Sequence, residues 1–369
     1  MTKNRIGALA SAALLALGLA ACGSSSSSSS SSNSAAGSTS SSSGSSTVSG
    51  AGSTFAAPVY EQWASSQSGL TVNYQATGSG AGVASLGQGT VDFAGSDPAL
   101  APADIKSLTK GTPLQIPVFF GGITISYNVP GVQKGLKLDG KTAADIFLRK
   151  ITSWNDPAIK ALNPGVSLPS TKITVIHRSD SSGTTKGFTT FLADYSPEFK
   201  SKVGVDKTVN WPSGETGAKG NDGVAAAIKQ TQGSVGYVEQ AYALQNNFTY
   251  ASVKNSSGKY VDPTLASVTA AGVGVKVPSG LGISVINSPN ANAYPIASQT
   301  FIDVYQDMCR AGASTSVAKG MKALLDYGLG AGQDVAKQLS FAPLPPSIKA
   351  RSKAAAAKLK CNGSPVVGA

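Results

Sequence analysis

Past Val48 the chain repeats one pattern: a short β-branched or aromatic run, a cluster of Gly, Ser, Thr or Asp, then a stretch with helical spacing. Strands that each lead into a helix restrict the fold to α/β sheets, with ligands expected at the carboxyl ends of the strands. Leu70 to Tyr74 is predicted to be a strand, Ala81 to Leu86 a short helix, Val91 to Ala94 a strand and Pro102 to Leu108 a helix. Gly122 to Val129 reads as a strand, Ala143 to Ile151 as a helix, and Lys172 to Ile176 as a strand leading to a helix over Thr184 to Leu192. Asn221-Asp222-Gly223 reads as the cap of a helix through Ala227, and Ser234 to Val238 returns as a strand. No internal repeat is visible, which argues against a solenoid.

Certain junctions are rich in groups that hold anions. Gly50-Ala51-Gly52-Ser53-Thr54-Phe55 leads into a helix whose Pro58 suits a first turn and whose Val59 and Trp63 share a face. Thr77-Gly78-Ser79-Gly80 precedes a helix carrying Val83 and Leu86, and Ser96-Asp97-Pro98 reads as an N-cap with a helix-starting proline. Arg178-Ser179-Asp180-Ser181-Ser182-Gly183-Thr184-Thr185 adds a guanidinium to the same kind of turn. Each junction offers free backbone N–H groups at a helix N-terminus, where negative charge is favoured. Singly each is a capped helix; together they point to an oxyanion.

Composition narrows the chemistry. With 369 residues and 41% hydrophobic content the chain is long enough for two ordinary domains. Its 30 Lys and Arg against 19 Asp and Glu give +11, but no run of like charges marks a nucleic-acid arm, so no nucleic-acid partner is expected. One His and three Cys exclude Cys/His zinc sites, iron–sulfur clusters and most His-based catalysis; no metal and no other cofactor is expected.

Residues 1–21 have the form of an export signal, with Lys3 and Arg5 ahead of the apolar run Ile6 to Ala21, too short to span a membrane. The end of that run, Leu19-Ala20-Ala21-Cys22, resembles a bacterial lipobox, which implies a lipoprotein whose Cys22 is diacylated and becomes the first mature residue. Residues 22–47 are almost all Ser, Gly, Ala and Thr and are predicted to be a flexible tether. The expected location is extracytoplasmic, lipid-anchored to the outer face of the cytoplasmic membrane. With Cys22 taken by lipid, Cys309 and Cys361 remain in an oxidising compartment and are expected to form a disulfide, two free buried thiols being the alternative.

Two motifs suggest enzymes and fail on inspection. Gly135-Leu136-Lys137-Leu138-Asp139-Gly140-Lys141-Thr142 fits the phosphate-loop spacing, but bulky residues stand where a cradle needs small ones, and Lys141 is expected to be solvated. His177 neighbours Arg178 on a strand, so their side chains point to opposite faces, and no G-x-S-x-G elbow exists; His177 is expected to be a packed or surface residue. The tryptophans and Phe119-Phe120 read as packing.

Through GAGSTFAAPVYEQW, VNYQATGSGAGV, TVDFAGSDPAL, RSDSSGTT, KGNDGVAAAI and GSVGYVEQAYA, nearly all of residues 50–300 resembles the extracytoplasmic phosphate-binding proteins of the phosphate-specific ABC importer. The resemblance implies an α/β, two-lobed type II periplasmic-binding-protein fold with two crossover segments. It implies a monomer that is no enzyme, closes on one inorganic phosphate and delivers it to the membrane permease and ATPase of the importer. Carried across by position, the phosphate ligands are Thr54, Phe55, Ser79, Asp97, Arg178, Ser182, Gly183 and Thr184. Because Thr54, Ser79 and Asp97 precede Gly121-Gly122 and Arg178 to Thr184 follow it, lobe I is expected at residues 48–120 plus 291–369 and lobe II at 121–290. The crossovers are expected at Gly121-Gly122 and Asn290 to Tyr294. Ser181 stands where the family often has Gly, and His177 replaces another strand residue; neither removes a ligand. The alternatives are a secreted phosphatase or other phosphate-ester enzyme on the same scaffold, and an envelope adhesin that has lost the ligand.

The residues agree with phosphate chemistry. Near neutral pH phosphate is largely a dianion that keeps one proton, so a selective site needs many donors and one acceptor, the role open to Asp97. Sulfate lacks that proton, and a unit charge facing Asp97 at ~4 Å costs on the order of 4 kcal/mol at an effective dielectric near 20. Arg178 offers parallel N–H bonds, and Asp180 stands ready to hold its guanidinium. For Cys22, the intact mass of the membrane-extracted protein is expected to exceed that of the chain from Cys22 by a diacylglycerol unit or more; an unmodified N-terminus would refute the assignment.

Overall fold

The computed structural model describes residues 46–367; the leader, Cys22 and all but the last two residues of the expected tether lie outside the described residues. One mixed sheet organises them. It contains β1 (Ser46–Gly52), β2 (Leu70–Gln75), β3 (Phe93–Ser96), β4 (Pro113–Asn128), β5 (Thr174–Arg178), β6 (Thr216–Ala218), β7 (Ser234–Glu239) and β8 (Ala297–Tyr305). In space they run β2-β1-β3-β8-β4-β7-β5-β6. β1 pairs in parallel with both β2 and β3, and β5 in parallel with both β6 and β7, as helical crossovers require.

β4 joins two half sheets into a two-lobed α/β fold. Its residues from Pro113 to Gly122 pair antiparallel with β8, and those from Ile123 to Asn128 with β7. Every residue from Ile116 to Tyr127 is buried, so the strand is apolar on both faces, with Ile116, Val118, Phe119, Phe120, Ile123, Ile125 and Tyr127 in the core. At the change of partner a Cβ on Gly121 would stand 2.5 Å from the ring of Phe55, so only glycine lets that ring pack against the strand. β4 starts well before the predicted Gly122. Pro113 and Pro117 hide it in the sequence, and the β8 register shifts between Thr300 and Phe301, next to the proline that has no N–H to give the ladder.

The helices follow the junctions. α1 (Ala57–Ser65), with a proline in its first turn, buries Val59, Tyr60 and Trp63, and the Trp63 indole N–H donates to Gly332 O at 2.8 Å. Trp63, Tyr60, Phe93, Phe119 and Phe341 pack mostly edge to face, each ring removing on the order of 150–250 Å² from water. α2 (Ser79–Gln88) follows β2, and α3 (Pro102–Ser107) follows β3. Ser96-Asp97-Pro98 therefore caps no helix: Ser96 Oγ donates to Pro98 O, and the Asp97 carboxylate is engaged by side chains from the turn after β1 and from β8. α4 (Gly183–Tyr195) starts at the fourth junction with Ser182 as N-cap. α5 (Gly220–Gln230) starts before the expected cap, and its N-cap is Lys219; Asn221 sits inside the first turn because its side chain bonds elsewhere. α6 (Gln240–Gln245) follows β7 directly.

The enzyme-like motifs have structural roles. Lys137–Leu138 forms a short strand, Asp139 caps the next helix through the Thr142 N–H, and Lys141 is exposed and paired with Asp145. His177 stacks on Trp211 with ring centroids 5.1 Å apart and Nδ1 against Arg178 O. Among the described residues no helix is long and apolar enough to cross a membrane.

α7 (Pro346–Ala356) ends before Lys360, where Lys360–Cys361 forms a small hairpin with Ser364–Pro365. The helix gives the core only Ile348, Ala355 and Ala356 beside the buried Ser352, and a disulfide between Cys309 and Cys361 ties its end to the segment after β8. Closing a loop with a sequence separation of 52 stabilises a fold by about 4 kcal/mol in the chain-entropy model. Non-reducing peptide mapping is expected to recover the Cys309–Cys361 pair, and Cys309→Ser/Cys361→Ser to lower stability by up to that amount; two alkylatable thiols in the native exported protein would contradict it.

Candidate anion-binding site

The sequence-derived residues converge where the two half sheets meet. Thr54 lies in the turn after β1, Ser79 opens α2, Asp97 follows β3, Arg178 ends β5, and Ser182, Gly183 and Thr184 open α4. A Cβ on Gly183 would lie 2.5 Å from both Asp97 Oδ2 and Ser79 Oγ, so the N-terminus of α4 abuts the opposite wall at that glycine. Across the same seam Gly80 N donates to Ser181 O at 3.0 Å and Tyr242 Oη to Thr54 O at 2.7 Å. At the rim Lys207 Nζ pairs with Asp104 Oδ1 at 2.7 Å, while the Lys207 carbonyl accepts the Ser182 N–H at 2.8 Å. A cavity of about 200 Å³ opens beside Asp97 and Gly183, with Lys186, Thr190 and Ser284 in its lining.

Arg178 is buried and held by Asp180. Its Nε donates to Asp180 Oδ1 at 2.7 Å and Nη2 to Oδ2, a bidentate pair that leaves Nη1 directed at Thr184 Oγ1, 3.4 Å away. Burial pushes the Asp180 carboxyl up, but the Arg178 hydrogen bond and charge and the Gly220 N–H bring it below its ordinary value. The pair is therefore neutral as a unit, and further attraction for an anion must come from helix N-termini and hydroxyl donors.

Asp97 supplies the acceptor. Ser53 Oγ at 2.5 Å and Thr300 Oγ1 at 3.0 Å both donate to Oδ1, while Oδ2 faces Gly183 and accepts a longer bond from Ser79 Oγ at 3.3 Å. Gln299 Nε2 fixes the Asp97 carbonyl at 2.7 Å. Phe55 sends its ring into the core against Phe341, so only its backbone is free for a ligand. The sequence reading did not single out Ser53, Thr300, Gln299 or Asn221 as site residues. The available signal for Thr300 and Gln299 was a run of polar residues inside the wholly buried β8, where each must have a partner. Asn221 is fully buried and bonds to both Thr54 and Thr184. Among the described residues no group of three or more His, Cys, Asp or Glu is placed to hold a metal.

A buried wall of donors around one carboxylate, set between two half sheets that share a strand, is an arrangement that fits a two-lobed solute-binding protein. The family model described as a PBP superfamily domain matches residues 36–331. The phosphate-binding protein PstS of Pasteurella multocida is 40% identical over 308 residues, covering 82% of this chain and 87% of its own. That of Haemophilus influenzae is 40% identical over 310 residues, covering 82% and 90%. A solved periplasmic phosphate-binding protein, bound with phosphate, superposes with a TM-score of 0.69 at 23% identity, over 83% of this chain and 93% of its own. The chain belongs to the PstS family of phosphate-binding proteins.

Burial pushes the Asp97 carboxyl up to about 6, with Ser53, Thr300, Arg178 and Ser79 pulling it back. The folded state then holds this proton more tightly than the unfolded chain, so stability from this group is complete below its unfolded value near 4 and declines as pH rises to about 6. In phosphate-free buffer, urea unfolding of the parent is expected to lose about 2.4 kcal/mol relative to Asp97→Asn between pH 4 and pH 7. Parallel pH profiles would show that Asp97 does not titrate in that window.

Proposed function

We propose that this protein captures inorganic phosphate outside the cytoplasm between its lobes and hands it to the membrane permease and ATPase of a phosphate ABC importer. As a PstS-family member it is a solute-binding component and not an enzyme. The lobes that close are residues 48–120 plus 291–369 and residues 121–290, with Gly121-Gly122 and Asn290 to Tyr294 as crossovers. The ligands are Thr54, Ser79, Asp97, Arg178, Ser182, Gly183 and Thr184, with the Phe55 backbone. Cys22 carries the lipid that keeps a monomer at the outer face of the cytoplasmic membrane.

One observation carries this reading: Asp97 turns Oδ2 toward Gly183 and Ser79, in a cleft otherwise furnished with hydroxyls, helix N-termini and Arg178. A dianion that retains a P–OH satisfies such a site, donating a hydrogen bond from that hydroxyl to Asp97 and accepting hydrogen bonds on its other oxygens. Sulfate leaves Asp97 facing an unprotonated oxygen. The relatives named for phosphate binding support the same ligand.

Calorimetric titration of the exported chain is expected to give tight phosphate binding and little or none for sulfate. Asp97→Asn removes the repulsion while its amide oxygen still accepts a P–OH, so sulfate binding is expected to appear as phosphate weakens modestly. Arg178→Ala is expected to cost at least ~3 kcal/mol in phosphate affinity, the scale of losing a buried charge-assisted contact. Complete rejection of sulfate by Asp97→Asn, or parental phosphate affinity in Arg178→Ala, would place the site elsewhere.

A further inference from the structure

The hydroxyls of Thr54 and Thr184, on opposite walls of the cleft, are bridged by one side chain. Asn221 Oδ1 accepts the backbone N–H of Glu239 at 2.9 Å. A backbone N–H only donates, so the amide orientation is fixed and its NH₂ faces the two hydroxyls. Nδ2 lies 2.8 Å from Thr54 Oγ1 and 3.4 Å from Thr184 Oγ1. Each hydroxyl has a second donor as well: the Asn221 N–H reaches Thr54 Oγ1 at 3.3 Å, and Arg178 Nη1 reaches Thr184 Oγ1 at 3.4 Å. A hydroxyl has two lone pairs and one proton. Protein donors meet both lone pairs of each, and among the described residues neither proton has a protein acceptor.

We propose that Asn221 is a specificity-determining positioning residue that locks the Thr54 and Thr184 hydroxyls as donors only, so that neither can take the protonated oxygen of the bound phosphate in place of Asp97. This rests on the phosphate-binding reading above. A freely rotating hydroxyl accepts a P–OH as readily as it donates to a bare oxygen, and the ligand then has several orientations of similar energy. Filling the lone pairs removes those alternatives before the ligand arrives. Asn221 does this through the threonines and without touching phosphate itself. Because it joins residues from both walls, it also ties the alignment of the hydroxyls to their being brought together.

The test is a double-mutant cycle read by calorimetry with inorganic phosphate on the exported chain, each variant being melted without ligand to show that it is folded. Asn221→Ala is expected to weaken binding about tenfold, the scale of one lost hydrogen bond. In a Thr54→Val background, where one of its two targets is gone, the loss is expected to shrink to about threefold, whereas Thr54→Ser retains the full effect. If Asn221→Ala does not fold, Asn221→Asp takes its place in the cycle, since it keeps the acceptor for Glu239 N–H while turning a donor into an acceptor. Its loss, about a hundredfold in the parent, is expected to shrink at least threefold beside valine. Equal losses in the parent and Thr54→Val backgrounds, or an affinity within twofold of the parent, overturn the inference while leaving the phosphate reading intact. A parent that takes up no phosphate overturns both.

Discussion

A guanidinium enclosed by protein is stable only when most of its donors are met by a partner of opposite charge, and this constraint orders the site. Asp180 meets two of the three nitrogens of Arg178 and leaves the third for the cleft. Asp180 is itself gripped, with the Gly220 N–H on Oδ1 and Gly78 so close that a side chain there would strike Oδ2. The positions of β5, α2 and the start of α5 are thus tied to one ion pair. The cation is turned toward the proposed ligand position without bringing net charge to it.

The opposite wall follows the complementary rule for a buried anion. Asp97 is almost inaccessible, and its carboxylate is kept in place by hydroxyls drawn from the β1 turn and from β8, far apart in the chain. Neutral donors hold it without cancelling its charge, so it retains its capacity as an acceptor. Arg178 with its partner on one wall and Asp97 on the other give the cleft its polarity, and each wall adds a threonine hydroxyl.

The fold class was legible, and so was the grouping of the eight residues proposed as ligands, because both are written locally. Gly, Ser and Thr between a strand and a helix mark exposed N–H groups, and Arg178 to Thr185 carries cation, counter-ion and N-cap within one turn. What stayed hidden was tertiary. β4 concealed its first half behind Pro113 and Pro117, and the bulge that leaves Val118 unpaired beside Pro117 shows only in its register with the distant β8. Asp97 next to Pro98 imitates a helix cap, and only its distant partners show that the carboxylate is engaged elsewhere. Asn221 imitates a cap for the same reason: a short polar side chain near a helix start has two uses, and sequence does not say which.

The shared strand has an entropic consequence. Because β4 keeps its ladder to β8 on one side and to β7 on the other, the two walls are not independent bodies that must find each other by diffusion. They meet at an effective concentration set by a strand already ordered in the core, and much of the translational and rotational loss of assembling a many-donor site is met when the chain folds. A ligand entering the cleft has chiefly its own freedom to surrender, which allows a few small polar groups around one ion to be enough.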